Sequence, residues 1–141
     1  TYFEMDNNNI VNDSKTYVAY CFTEIQGYSK FGGYTGNGNV DGPFIYTGFK
    51  PAWLLFKRTD AEPNAWIIVD NKRNTFNPTD KWLAADTNGA EATHTRFDFL
   101  SNGFKARQNY GNTNADGAAY IYMAFAEQPF VTSGGVPCTA R

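Results

Sequence analysis

Short runs of aromatic and β-branched residues, separated by clusters of Asn, Gly and Asp, extend along nearly the whole 141-residue chain. Apolar residues do not keep helical spacing over any stretch of a dozen residues, and Gly or Pro interrupts most stretches. Gly and Asn accept the positive φ of tight turns, so this pattern is typical of strands joined by hairpins. It favours a sandwich or barrel, and we expect an all-β fold: an antiparallel β-sandwich of jelly-roll or lectin-like topology.

The sharpest hairpin signal is Asn102-Gly103, which lies between Phe97, Phe99 and Leu100 on one side and Phe104 on the other. The pattern predicts ten strands, near Tyr2–Met5, Thr16–Ile25, Ser29–Thr35, Phe44–Phe49, Trp53–Arg58, Ala65–Asp70, Lys81–Ala84, Thr95–Leu100, Phe104–Gln108 and Ala118–Glu127.

Charge and hydropathy exclude several function classes. Twelve basic and 14 acidic residues leave a net charge of -2, so the chain lacks the basic surface of a nucleic-acid-binding domain. The longest apolar run, Ala118 to Ala126, is nine residues, whereas a membrane-spanning helix needs about 20. An aromatic content of 17% argues against disorder. Two widely separated cysteines form no zinc motif, and we expect Cys21 to be a buried free thiol, with a Cys21–Cys138 disulfide as the alternative.

Two aromatic segments are similar to each other. Thr16–Glu24 aligns without gaps to Ala119–Glu127, with identical residues at Tyr17/Tyr120, Phe22/Phe125 and Glu24/Glu127. Both contain continuous apolar runs, which predict central strands or strands covered by a neighbouring subunit.

If the similarity reflects a repeat rather than chance, it divides the chain into three parts. Residues 1–26 are then the terminal strands of a preceding copy, packed on the next unit. Residues 27–130 form a complete β-sandwich unit, and residues 131–141 form a C-terminal tail. On this interpretation the polypeptide carries a further copy upstream.

Catalytic motifs are missing from the sequence. His94 is the single histidine and lies in a loop or strand edge, where an ordinary surface role is the simplest interpretation. The carboxylates Asp60, Asp70, Asp80, Asp86, Asp98 and Glu127 stand in no glycosidase-like motif, and charge pairing explains Asp60 and Asp70. The polar loop Asp70–Asp80 offers oxygens for Ca²⁺, but Lys72 and Arg73 oppose a cation, and Asx turns account for it better. We therefore expect no enzyme activity, no cofactor and no metal site.

Aromatic residues beside Gly- and Asn-rich turns are the remaining candidates for binding. Rings of this kind serve core and subunit packing, or they form a sugar-binding surface. We expect ligand contacts at Tyr28, Tyr34, Phe76, Trp82 and Tyr110; Phe31 has a similar setting.

Seven ordered blocks together resemble a known family: Tyr17–Gly32, Tyr34–Gly38, Asp41–Pro51, Lys57–Asp60, Trp66–Arg73, Phe97–Lys105 and Tyr120–Phe130. The sequence is similar to repeat domains in tail-fibre and other virion-associated proteins of tailed bacteriophages, and the match spans nearly the whole chain. The resemblance implies a location in the virion and a structural role, but it supplies no catalytic residues. Cys138 departs from the family's pattern, which has a small apolar residue there.

From the residues and the resemblance together, we expect a structural and adhesive module of a phage tail fibre or other virion appendage, which assembles the fibre and attaches to the host surface. Its partners would be copies of itself in a homotrimer, other virion proteins and a host-surface glycan, with no nucleic acid and no membrane insertion. The loops at residues 35–39, 71–80 and 108–116 would present the contact surface. The alternatives are a carbohydrate-binding, lectin-like module, a depolymerase and a subunit of a non-viral extracellular filament.

Overall fold

The computed structural model describes residues 13–128, which form eight strands and one short helix. The expected strand at Tyr2–Met5, the tail at residues 131–141 and Cys138 lie outside this range. No helix in the described range is long and apolar enough to cross a membrane. The elements are β1 (Ser29–Thr35), β2 (Asp41–Tyr46), β3 (Pro51–Arg58), β4 (Ile67–Asp70), β5 (Thr79–Ala84), β6 (Ala92–Leu100), β7 (Gly103–Arg107), α1 (Gly111–Asn114) and β8 (Ala119–Ala126).

All eight strands belong to one antiparallel sheet in the order β1-β8-β3-β4-β5-β6-β7-β2. The sheet curls until its edge strands β1 and β2 approach each other, which gives a nearly closed, barrel-like shape. The prediction of an all-β antiparallel fold is therefore confirmed. Near closure protects the two edges of the sheet, which would otherwise offer unpaired backbone groups.

The hairpin between β6 and β7 is present where the Asn-Gly signal predicts it. Leu100 pairs with Gly103, so the two-residue turn is Ser101-Asn102, one residue earlier than the dipeptide suggests. Gly103 is needed for space, because a Cβ atom there would lie 2.1 Å from the backbone oxygen of Ile45 on β2. The glycine thus allows β2 to lie close against the hairpin.

Aromatic rings fill the interior of the barrel. Phe97 makes edge-to-face contacts with Phe56 and Phe104, whose ring centroids lie 4.9 and 5.2 Å away, and Phe104 also contacts Tyr122 at 5.1 Å. Edge-to-face pairs of this kind add favourable energy beyond the burial of their area. The aromatic residues in the sequence are explained in large part by this core.

The prediction of a strand at Thr16–Ile25 is wrong. Within the described range, residues 16–24 form no strand, and Ile25 makes only an isolated bridge to Ser29. The side chains of Val18, Tyr20 and Phe22 are 77%, 83% and 58% exposed. A strand-forming sequence gains its ladder of hydrogen bonds only by pairing with a neighbouring strand, and no described strand pairs with residues 16–24.

Cys21 lies in the same segment and is exposed, so its prediction as a buried thiol is also wrong. β8, the counterpart of this segment, is a central strand between β1 and β3, as predicted. It is buried mainly on one face: Tyr120, Tyr122 and Ala124 point into the barrel, whereas Ile121 is 41% exposed.

The loops gather at two opposite ends of the barrel. The connections at residues 36–40, 59–66, 85–91 and 108–118 lie at one end, which we call the helix end because it carries α1. The connections at residues 47–50, 71–78 and 101–102 lie at the other end. Of the three loops expected to form a contact surface, two share the helix end and the third lies opposite.

Candidate functional site

A fully buried arginine lies at the helix end of the barrel. Arg96 on β6 is 0% exposed. The pairing of β5 with β6 is irregular beside it: Thr79 pairs with Phe97 but Lys81 pairs with Thr93, so β6 advances four residues while β5 advances two. A bulge of this kind re-aims side chains relative to the regular alternation. The irregularity accounts for a buried charged residue next to the core residue Phe97.

Two aromatic rings enclose the guanidinium group. Its central carbon lies 4.6 Å from the ring centroid of Trp82 and 5.0 Å from that of Tyr110. Both distances are in the range of cation–π attraction. One Nη of Arg96 donates a hydrogen bond to Oγ1 of Thr113 at 3.0 Å. We call Trp82, His94, Arg96, Tyr110 and Thr113 the arginine cluster.

Burial lowers the pKa values of two groups in the cluster. Loss of hydration lowers the pKa of the Arg96 guanidinium to about 10, so the group keeps its positive charge at neutral pH. Burial, followed by the charge of Arg96, lowers the pKa of His94 below its usual 6.5. The His94 ring packs on Tyr110 with a centroid distance of 4.1 Å. His94 is therefore a half-buried residue at the edge of the cluster.

A buried asparagine holds the loops around the cluster. Asn114 in α1 is 0% exposed. Its Nδ2 donates to the backbone oxygens of Asn39 and Gln108 and to Oδ1 of Asn37, and its Oδ1 accepts from the backbone N–H of Asn37. These bonds tie loop 36–40 to loop 108–118, so the helix end has a fixed shape.

The five aromatic residues expected to contact a ligand do not form one surface. Trp82 and Tyr110 come together in the arginine cluster. Tyr34 lies beside them but inside the fold: it stacks on Tyr120 at 4.8 Å, and its hydroxyl donates to the backbone oxygen of Thr113 at 2.8 Å. Burial raises the pKa of the Tyr34 hydroxyl well above its usual 10. The Tyr34 side chain is partly buried, and its ring packs against the core.

The other two aromatic candidates lie away from the cluster. Phe76 is 85% exposed and lines a shallow cleft with Lys50 and Glu127 at the opposite end of the barrel. Tyr28 is 41% exposed and packs edge-to-face on Phe125 at 5.8 Å.

The candidate carboxylates have structural roles. Asp60 pairs with Arg58 at 2.7 Å, and Asp70 pairs with Arg73 at 3.1 Å, as the charge-pairing interpretation predicts. Oδ1 of Asp70 accepts the backbone N–H groups of Lys72 and Arg73, which confirms the Asx turn. Among residues 13–128, no group of three His, Cys, Asp or Glu side chains is arranged to hold a metal ion.

The outside of the sheet carries a second notable feature, an apolar groove. Phe31 on β1, Met123 on β8 and Leu55 on β3 are neighbours across the three strands. Together with Trp66 and Ile121 they line a groove of about 200 Å³ with almost no polar surface. We call these five residues the outer apolar face. Phe22 of the exposed N-terminal segment lies at its edge, with its ring 6.4 Å from that of Phe31.

The arginine cluster illustrates what the sequence conceals. Trp82 and Tyr110 stand out because they are aromatic residues in polar surroundings. Arg96 gives no such signal, since in Thr95-Arg96-Phe97-Asp98 the alternation places it on the outer face with Asp98. Asp98, two residues further on, suggests a surface ion pair instead, so no sequence signal points to the burial of Arg96.

A sequence model of one family matches residues 1–129; the family is described as a domain of unknown function, DUF7483. No curated protein and no solved structure matches the chain. The family model covers the whole of the described barrel together with the segment that precedes it.

Proposed function

The chain belongs to the DUF7483 family, and we propose that it is a structural and adhesive module of a tail fibre or other virion appendage of a bacteriophage. In this role it associates with copies of itself in a homotrimer, contacts other virion proteins and contributes to attachment at the host surface. It performs no reaction of its own.

The observation that carries the assembly role is the outer apolar face. Ile121 on this face is 41% exposed, and the groove that it lines is bounded almost entirely by apolar atoms. Contiguous exposed apolar surface of this kind marks sites of protein association. Val18 and Tyr20 add further exposed apolar surface in the N-terminal segment. A chain of low charge that leaves two such surfaces uncovered is suited to packing against copies of itself.

Sedimentation velocity over a range of concentrations tests the assembly role. We expect the wild-type chain to form trimers, and Ile121→Asp to shift it to monomers because a carboxylate on this face must be desolvated in any contact. Phe76→Ala is the matched control, since Phe76 is an exposed apolar residue at the end of the barrel opposite the helix end. A wild-type chain that stays monomeric at all concentrations would overturn the proposal.

The virion location is supported by the sequence resemblance to tail-fibre domains. Immunogold electron microscopy of the phage that encodes the chain, with antibodies against residues of the barrel, tests it. Label at the tail or its appendages is the expected result. Label on filaments of a non-viral cell would instead favour the alternative, a subunit of an extracellular filament.

The attachment role has its own support in the arginine cluster. Trp82 and Tyr110 lie around one cation at the helix end, where two of the long loops meet. Binding sites for small ligands combine aromatic walls with a few polar groups in this way. We therefore keep carbohydrate binding as the second candidate function, and a glycan array without any bound glycan would contradict it.

A further inference from the structure

Arg96 is a buried cation with no acidic partner in the part of the chain that the structure describes. It forms no ion pair with any carboxylate of residues 13–128, whereas the other three arginines of this range, Arg58, Arg73 and Arg107, each pair with an Asp. A charge removed from water is costly unless it is paired and hydrogen-bonded. The hydrogen bond to Thr113 and the two aromatic rings offset part of this cost but supply no negative charge.

Two N–H donors of the cluster have no acceptor among the described residues. Nε of Arg96 and Nε1 of Trp82 are both buried, and neither has a hydrogen-bond partner within the described part of the chain. They belong to side chains in direct contact, with 4.6 Å between the guanidinium carbon and the indole centroid. Buried donors are normally satisfied, so such a pair indicates an acceptor that completes the site.

Tyr110 forms the cover of the site. Its side chain is 41% exposed, and its ring lies 5.0 Å from the guanidinium carbon of Arg96. It lies in the short connection between β7 and α1, two residues after Gln108, which adopts a φ of 71°. His94 packs on the same ring. Of the two rings on the guanidinium group, that of Tyr110 is the more exposed, so the cluster meets solvent at this side chain.

We propose that the arginine cluster binds an acidic sugar, with the sugar's carboxylate on Arg96 and its ring against Trp82 and Tyr110. A guanidinium group presents a planar fork of donors that matches the two oxygens of a carboxylate. Nε1 of Trp82 donates to the same carboxylate or to a neighbouring hydroxyl. The aromatic rings pack on the apolar face of the pyranose.

This inference rests on the attachment role proposed above and specifies its ligand class. It is independent of the assembly role, because the arginine cluster lies at the helix end and the outer apolar face lies on the outside of β1, β8 and β3. Failure of self-association therefore leaves the ligand site untouched, and failure of sugar binding leaves self-association untouched.

The experiment is a titration of the full chain with D-glucuronate. The NMR signal of the Arg96 Nε–H group is recorded at each concentration. We expect this signal to move and saturate by about 50 mM, in keeping with millimolar affinity for a single sugar. D-Glucose keeps the pyranose but lacks the carboxylate, and acetate keeps the carboxylate but lacks the ring. Both should bind at least about tenfold more weakly than glucuronate.

Two variants assign the binding to the cluster. Trp82→Phe keeps an aromatic ring but removes the unpaired N–H, and Arg96→Met removes the charge; each should weaken glucuronate binding, the second at least about tenfold. Phe76→Ala, at the opposite end, should bind like the wild type. No movement of the Nε–H signal, equal effects of acetate and glucuronate, or unchanged binding by Arg96→Met would each overturn the proposal. The NMR measurement uses the wild-type chain and so does not depend on the folding of any variant.

Discussion

Asn37 and Asn114 exchange two hydrogen bonds across the helix end of the barrel. The backbone N–H of Asn37 donates to Oδ1 of Asn114 at 2.8 Å, and Nδ2 of Asn114 donates to Oδ1 of Asn37 at 3.0 Å. Since Asn114 also holds the backbone oxygens of Asn39 and Gln108, one buried amide fixes two loops that are far apart in the sequence.

Replacing this amide should destabilise the fold strongly. We expect Asn114→Ala to lower the free energy of unfolding by about 3 kcal/mol, because it leaves several buried backbone groups without partners. Urea denaturation measures the change. Asn109→Ala is the matched control: it removes an exposed asparagine from the same loop and should change stability by less than about 0.5 kcal/mol. Similar losses in the two variants would show that the network of Asn114 is not what stabilises the loops.

A second prediction concerns Gly103 in β7. We expect Gly103→Ala to destabilise the protein by about 2 kcal/mol or more, since the added methyl would lie 2.1 Å from the backbone oxygen of Ile45. Gly111→Ala provides the comparison, because its nearest atom would be the end of the Arg58 side chain at 3.9 Å. Thermal unfolding of both variants should separate them clearly. A neutral Gly103→Ala variant would mean that β2 does not lie so close.

The third prediction is a pH dependence centred on His94. Burial and the charge of Arg96 lower its pKa in the folded state below the usual 6.5. As the pH falls, the unfolded chain therefore takes up the proton first, and the stability that neutral His94 contributes is lost from about pH 6.5 downward. Because the chain has one histidine, its ring protons report the titration without assignment problems in NMR.

Tyr110→Ala should raise the pKa of His94 towards 6.5, because it removes the ring that shields the imidazole. Phe76→Ala should leave this pKa unchanged. A wild-type pKa at or above 6.5 would contradict the prediction, since it would mean that neither burial nor the charge of Arg96 acts on the imidazole.

The fourth prediction uses Cys21 as a probe of assembly. Its thiol is exposed in the single chain, so iodoacetamide should label it under native conditions in dilute solution. If the N-terminal segment lies in the contact between copies, labelling should slow as the protein concentration rises. Peptide mapping by mass spectrometry identifies the labelled cysteine, and Ile121→Asp should abolish the concentration dependence. A labelling rate that is independent of concentration while trimers form would place the segment outside the contact.

Local sequence signals predicted most of the barrel. The strand at Ser29–Thr35 has the predicted bounds, and Trp53–Arg58 differs from β3 by two residues. These strands alternate with Gly- and Asn-rich turns, and this pattern specifies the strand and the turn together. The segment Tyr17–Phe22 has the same aromatic and β-branched composition, yet it forms no strand. Strand formation also requires a second strand to pair with, and the composition of one segment does not reveal whether such a strand is present.

The arginine cluster was predicted only in part. Trp82 and Tyr110 are recognisable as aromatic residues near turns, but their meeting depends on how β5, β6 and α1 pack. The burial of Arg96 depends on the irregular pairing between Thr79 and Lys81. Such a bulge is a property of two strands at once, so the pattern of one strand cannot reveal it.

The polypeptide chain enters the barrel through β1 and leaves it through the adjacent strand β8. Ser29 at the beginning of β1 pairs with Phe125 near the end of β8, and the backbone N–H of Ala126 donates to the oxygen of Tyr28. Both points lie at the end of the barrel opposite the arginine cluster. The chain therefore enters and leaves the barrel at neighbouring points. A barrel inserted between two segments of a longer polypeptide would leave those segments adjacent, and its helix end would face away from them.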